Sequence, residues 1–256
     1  MEWTELLVMI QDQERFGLAP TSVSVHVISL RRTQERAIKT IESLQQQDVS
    51  YKIVEAVDGL SGFSADVLEQ YAGIKRIRRV QHLFERSRDE VLDTLHDRSS
   101  NLDTVLKLSL HESLRFGCYL SHVLLWRQLL DSRESLMIVL EDDVTLEPKF
   151  STRLLRMVKS LPESWDLLFL NGCFKKMGPQ FASELFLSRG GLCTYGYAIS
   201  FNAAAKLFRG KTLKSNKPID HLLDELVLNG KLIAFHADPP LVRTVKSIES
   251  TLAYYS

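Results

Sequence analysis

A chain of 256 residues, 45% hydrophobic and 25% charged, can bury one large core or two smaller ones. Its 32 basic side chains balance its 32 acidic ones, so no overall field steers it toward nucleic acid. No apolar run reaches the length of a membrane span, and Glu2 and Glu5 stand where a secretory leader would be basic. The three cysteines, Cys118, Cys173 and Cys193, lack metal-ligand spacing, so the expectation is reduced, buried thiols in a cytoplasmic protein.

In chain order, Trp3, Leu6, Leu7 and Ile10 recur at helical spacing and predict a short amphipathic helix that ends before Pro20, an extension over residues 1–20. Residues 24–30 alternate and are β-branched, which predicts a strand; a helix over 33–47 follows, with Thr33 as its N-cap. Residues 51–57 predict a second strand, stopped by Asp58 and Gly59, and 64–72 another helix. Residues 73–110 hold a basic run from Lys75 to Arg79 and read as a helical insertion. The run also carries Ile74, Ile77 and Val80, so it suits either a solvated helix face or peripheral contact with an anionic membrane.

A helix over 112–131 carries Leu114, Cys118, Leu125 and Leu129 along one side. Residues 136–140 are wholly apolar and predict a central strand. Helices follow at 150–161, from Asn202 as cap to about 208, and at 220–228; strands are predicted at 165–170, 195–201 and 232–235. Strand and helix alternate nearly throughout, so the base case is an α/β fold: a mostly parallel central sheet flanked by helices, one domain over 21–256.

The sequence LMIVLEDDV, residues 136–144, runs a buried strand straight into three acids. Carboxylates that close repel, and burying them costs several kcal/mol unless a positive charge arrives. Ligands of open α/β sheets bind beyond the carboxyl ends of strands, where Glu141, Asp142 and Asp143 stand. Strand alternation sends Glu141 and Asp143 to one side and Asp142 to the other. Such a pair suits Mn²⁺ or Mg²⁺, which prefer oxygen donors and keep positions for water and phosphate; acids at a strand end also cap helices or face water.

Gly117, Cys118, Ser121 and His122, then Trp126, then the Leu-Glu-Asp-Asp run of 140–143 resemble glycosyltransferase family 25. That family holds lipooligosaccharide galactosyltransferases and collagen galactosyltransferase catalytic domains. Further agreement comes from residues 27–31 with Glu35 and Arg36, from Val57-Asp58-Gly59, from Trp165 and Asp166, from residues 197–200, and from Pro218-Ile219-Asp220. Leu114 and Arg115 stand where the family places Gly-Glu, and Ser29 where it places an asparagine.

The resemblance implies a GT-A-like fold and inverting transfer of a hexose, galactose first, from a UDP-sugar to a glycan, lipooligosaccharide or protein acceptor. It implies Asp143 and Glu141 as metal ligands for Mn²⁺ or Mg²⁺. Leu30, Arg31, Arg36, Asp58, Ser121, His122 and Asp142 become candidate donor contacts. Each also has a plain structural use: the arginines can open a solvated helix, Asp58 can make a turn, and His122 can be a satisfied buried group. Ser121 and His122 diverge by about 100° on a helix, so they do not form a nucleophile–base pair. Gly117 would allow close approach to the helix, and Trp126 would pack in the core. Asp220 is the candidate base, or an N-cap or sugar ligand; Asp224 and Glu225 come next, and His236 is a further candidate metal ligand. The same acids would also serve a divalent-metal phosphohydrolase, and the Arg115 departure would suit a nucleotide-sugar-binding module without turnover.

Overall fold

The computed structural model describes residues 23–59, 100–209 and 217–245, without the side chains of 100–113. The predicted helices at 3–16 and 64–72 and the basic run at 75–79 lie outside these residues.

Strand β1 (Val23–Ser29) leads through a 3-10 segment, Arg31–Ala37, into helix α1 (Ile38–Gln46) and strand β2 (Lys52–Glu55). Helix α2 (Ser100–Ser132) precedes β3 (Leu136–Glu141), β4 (Val144–Leu146) and α3 (Phe150–Ser160). Then come β5 (Leu167–Cys173), β6 (Met177–Ala182), β7 (Leu185–Ser188), β8 (Leu192–Ser200) and α4 (Phe201–Phe208). Helix α5 (Ile219–Leu228), β9 (Ala234–Ala237) and β10 (Val242–Thr244) complete the fold.

The 8-stranded sheet has the order β2-β1-β3-β8-β5-β9-β7-β6. Strands β2, β1, β3, β5, β9 and β6 run one way and β8 and β7 the other, so three ladders are parallel and the four made by β8 and β7 are antiparallel, around a core of helix-covered strands. Strand β3 shows why. Met137 and Val139 pack into one core with Trp126 and Leu129 of α2, Ala204 of α4 and Leu222 of α5. Leu136, Ile138 and Leu140 pack into a second core with Leu44 of α1 and Phe150 and Leu154 of α3. Alternation thus sends each half of an all-apolar strand under a helical layer, and neither face meets water. Each such side chain contributes roughly 1.5–3 kcal/mol when fully buried.

Several local expectations change. Thr33 is not an N-cap but sits with non-helical angles (φ −133°, ψ 36°) inside the 3-10 segment, because the chain kinks there before α1. Helix α4 is capped by Ser200, whose side chain accepts from the Ala203 N–H, and Asn202 lies inside it. Helix α2 begins at Ser100, so the last residues of the predicted insertion are its first turns. Strands β4, β6, β7 and β10 were not expected; they are short or half exposed and carry little alternation. Two of the three cysteines are not free thiols: Cys173 and Cys193 form a disulfide, because β5 and β8 are neighbours. Only Cys118 remains a thiol. Among the described residues no helix is long and apolar enough to cross a membrane.

Candidate active site

Parallel β1, β2 and β3 bring their carboxyl ends to one edge of the sheet, and antiparallel β8 brings its start there. The first turn of α5 closes the space. The result is a cleft of about 410 Å³, within the range of small-molecule sites. Leu30, Arg36, Asp58, Ser121, His122, Glu141, Asp142, Asp143 and Asp220 all line it. Arg31 does not; it is exposed at the start of the 3-10 segment.

The acids occupy the tight link between β3 and β4. Thr40 of α1 grips that link from behind: its Oγ1 donates to the Val144 carbonyl (2.7 Å) and accepts from the Val144 N–H (3.2 Å). The Val245 N–H donates to the Asp143 carbonyl at 2.7 Å. Glu141, the last strand residue, keeps the alternation and points toward α2. Asp142 and Asp143 do not alternate further, because the strand has ended, and both turn to Arg36. The expected separation of Asp142 from Asp143 is therefore wrong.

Arg36 supplies a positive charge that the sequence demanded. Its guanidinium lies 3.2 Å from Asp142 Oδ1 and donates to Asp143 Oδ2 at 3.0 Å. Ser29 donates to Asp142 Oδ2 at 2.9 Å. Burial still holds both aspartates above the usual carboxylate range, against the opposing pull of Arg36. Asp143 Oδ1 is buried with no hydrogen-bond donor. Burial, then the charge of Asp143, pushes Glu141 up to about 7, while Thr194 donates to its Oε1 at 2.8 Å.

Behind Glu141 lies a buried relay. Trp126 Nε1–H can only donate, and its acceptor is the Tyr197 hydroxyl at 2.9 Å. Tyr197 therefore donates its own proton to His122 Nδ1 at 2.8 Å, and His122 carries its proton on Nε2, 3.9 Å from Glu141 Oε1. Burial lowers His122 to about 4, so the ring is neutral. Trp126 is core, as expected, with this polar duty added.

Ser121 donates to the Gly117 carbonyl (2.8 Å) and accepts from the Val57 N–H (2.8 Å), so it ties α2 to the chain after β2. Gly117 makes that approach possible: a Cβ there would lie 2.5 Å from the Val57 carbonyl oxygen. Asp58 follows at the cleft and pairs with Arg32 at 2.7 Å. Asp220 accepts from the Cys193 N–H (3.2 Å) and from the His221 N–H (2.8 Å). His236 does not line the cleft; its Nε2 faces the Gly190 carbonyl and the Ser188 hydroxyl, both at 3.0 Å. Among the described residues no three His, Cys, Asp or Glu side chains form a metal-ligating cluster.

Cleft residues that sequence reasoning missed are Arg115, Cys193, Thr194, Tyr195 and Thr244. Only topology brings the start of β8 and the end of β10 to the tip of β3, and no local pattern announces it.

A family model described as glycosyltransferase family 25 (LPS biosynthesis protein) matches residues 23–177. The chain is 28% identical over 208 residues to procollagen galactosyltransferase 1 of Danio rerio, covering 78% of this chain and 30% of that protein. It is 25% identical over 247 residues to procollagen galactosyltransferase 2 of Mus musculus, covering 85% and 34%. It is 27% identical over 208 residues to a probable inactive glycosyltransferase 25 family member 3 of Rattus norvegicus, covering 78% and 32%. The chain spans about a third of the length of these relatives.

Proposed function

This chain belongs to glycosyltransferase family 25, and from that premise we propose that it transfers galactose, with inversion, from UDP-galactose to a glycan, lipooligosaccharide or protein acceptor. The observation that carries the reading is the acid link between β3 and β4, which lines the cleft and leaves the buried Asp143 Oδ1 without a donor.

An oxygen in that state suits a hard divalent cation. Asp143 Oδ1 and the Glu141 carboxylate are the groups that would hold Mn²⁺ or Mg²⁺, both of which prefer oxygen donors. Such a cation, when bound, supplies positive charge to the leaving diphosphate. The protein's own part is orientation. Arg36 fixes Asp142 and Asp143, so its role is to hold the acids rather than to grip the diphosphate directly. Ser29 fixes Asp142 from β1. Ser121 and Gly117 hold the segment that presents Asp58 to the cleft, and in this reading Asp58 would contact the nucleoside.

Asp220 faces the same cleft from α5. Each of its oxygens accepts one backbone N–H and keeps a second lone pair. In the proposed step Asp220 takes the proton of the acceptor hydroxyl as that oxygen bonds to the sugar's anomeric carbon. The bond from that carbon to the β-phosphate oxygen breaks, and UDP leaves with the electron pair.

The relatives named inactive motivate a second reading: a module that binds the nucleotide sugar without turnover. UDP release from UDP-galactose with Mn²⁺, measured with lactose, a lipooligosaccharide and a procollagen peptide as acceptors, separates the two. Transfer that disappears in Asp143→Asn supports the proposal. Stabilisation of the chain by UDP-galactose without product favours the binding module, and full activity in Asp143→Asn refutes the cation site.

A further inference from the structure

We propose that the Cys173–Cys193 disulfide is a positioning element of the cleft: it clamps the turn that opens β8, so the arrangement of Thr194 and Asp220 depends on an oxidised cysteine pair. The first residues of β8, Cys193, Thr194 and Tyr195, form part of the cleft wall just after that turn. Thr194 donates to Glu141 at 2.8 Å, and the Cys193 N–H donates to Asp220. Two of the proposed working carboxylates therefore each take a hydrogen bond from adjacent residues at the start of β8.

That turn is held in a costly shape. Gly190 has φ +105°, which glycine tolerates, but Cys193 has φ +65°, which an L side chain rarely adopts. Such a conformation persists only where its surroundings over-determine it. Noncovalent tethers contribute: the Gly190 N–H donates to Ser188 Oγ at 3.1 Å, the Lys176 N–H donates to the Gly190 carbonyl at 3.0 Å, and Leu192 pairs with Cys173 across the sheet. His236 donates from Nε2 to the Gly190 carbonyl at 3.0 Å. Asp224 Oδ1 accepts from the Gly191 N–H at 2.8 Å, and Asp220 Oδ2 from the Cys193 N–H at 3.2 Å. Asp220 and Asp224 lie one helical turn apart on α5, so a single helix face grips both ends of the glycine-cysteine segment. A further tether is covalent, and it attaches at Cys193 itself. Tyr195, two residues on, donates its hydroxyl to Cys173 Sγ at 2.9 Å and buttresses the far sulfur.

Reduction by a dithiol breaks the Sγ–Sγ bond. Two electrons and two protons pass to the protein, leaving two thiols, and the reductant becomes the disulfide. Cys193 then keeps its left-handed backbone on the noncovalent tethers alone, of which the bond to Asp220 is the one made by its own N–H. The turn relaxes, and Thr194 and Asp220 lose their fixed relation to Glu141.

The test follows amide hydrogen exchange in the intact chain, equilibrated with oxidised glutathione or with dithiothreitol, with the Cys173→Ser/Cys193→Ser double variant in parallel. Alkylation of the oxidised sample should mark Cys118 alone. The expected result is a drop in protection of about tenfold or more at Gly191, Cys193 and Thr194 on reduction, with the middle of β8 unchanged. Re-oxidation of the wild type restores it, and the double variant stays at the reduced level. Unchanged exchange at 190–194 overturns the proposal. So does a uniform rise across β5 and β8, which a crosslink that merely stabilises the fold would give. Alkylation of all three cysteines after oxidation overturns it as well. The catalytic consequence rests on the transferase reading. UDP-galactose turnover should fall at least about tenfold on reduction, and equal turnover in both states overturns the positioning role. Absence of turnover in both states refutes the transferase reading, while exchange still decides the clamp.

Discussion

Replacing Arg36 with methionine removes the cation between Asp142 and Asp143 while keeping a side chain that can pack. The guanidinium lies 3.2 and 3.0 Å from the two carboxylates, and all three side chains are at most 13% exposed. At an effective dielectric constant of ~20 each contact carries about 5 kcal/mol of attraction. Desolvating the three groups consumes much of that sum. The expected net loss is that of breaking a buried pair from one side, about 3–5 kcal/mol. Urea unfolding followed by tryptophan fluorescence at pH 7.5 reads it directly.

The pH dependence of that loss is fixed in sign. Both carboxylates already sit above their usual range, and removing Arg36 takes away the interaction that opposes burial. A raised folded-state pKa lowers stability at pH values above it, and the deficit fades as pH falls through it. Arg36→Met should therefore regain stability on wild type as the solution is acidified below neutrality. A loss under about 1 kcal/mol at pH 7.5, or one equally large at pH 5, would show that Arg36 does not carry these charges.

Glu141→Gln tests the neighbouring acid. Glu141 rises from 4.5 to about 7, so wild type loses stability as pH climbs across that interval. With its side chain 28% exposed, the variant should gain about 2 kcal/mol at pH 8 and lack that slope in urea unfolding; parallel profiles would refute it. Gly117→Ala drives a Cβ against the Val57 carbonyl oxygen at 2.5 Å and the Gly59 nitrogen at 2.8 Å, backbone atoms that cannot rotate away. It should cost about 1–3 kcal/mol and weaken UDP binding by calorimetry, because Asp58 lies between them. Tyr197→Phe strips the partner from both Trp126 Nε1 and His122 Nδ1, so it should cost about 2–4 kcal/mol in thermal or urea unfolding, more than one lost hydrogen bond.

The chain's local grammar announced the α/β frame. Five apolar residues in a row at 136–140 require cover on both faces, and the structure provides it. The edge of that grammar is equally clear. Alternation predicted the side of Glu141 but failed at Asp143, because period-two reasoning stops where the ladder stops. Composition suggested free thiols, yet Cys173 and Cys193 become neighbours only when β5 and β8 pair across 20 residues of chain. Arg36 matched a family pattern, but its partners lie 106 and 107 residues away, a distance that no short-range signal spans.

Those long-range pairings recast the acid trio. Arg36 neutralises one charge of three, and Ser29 and Thr194 donate hydrogen bonds without adding charge. If all three carboxylates are ionised, −3 and +1 leave −2, the charge a divalent cation would balance. Glu141 stays displaced upward in spite of Arg36, and Asp143 Oδ1 has no donor. A purely structural acid cluster would be closed by its arginine. This one keeps a donor-free buried oxygen at a cleft that Asp58 and Cys193 also line. On the reading proposed above, that uncompensated negative charge is what the counterion of a diphosphate would meet.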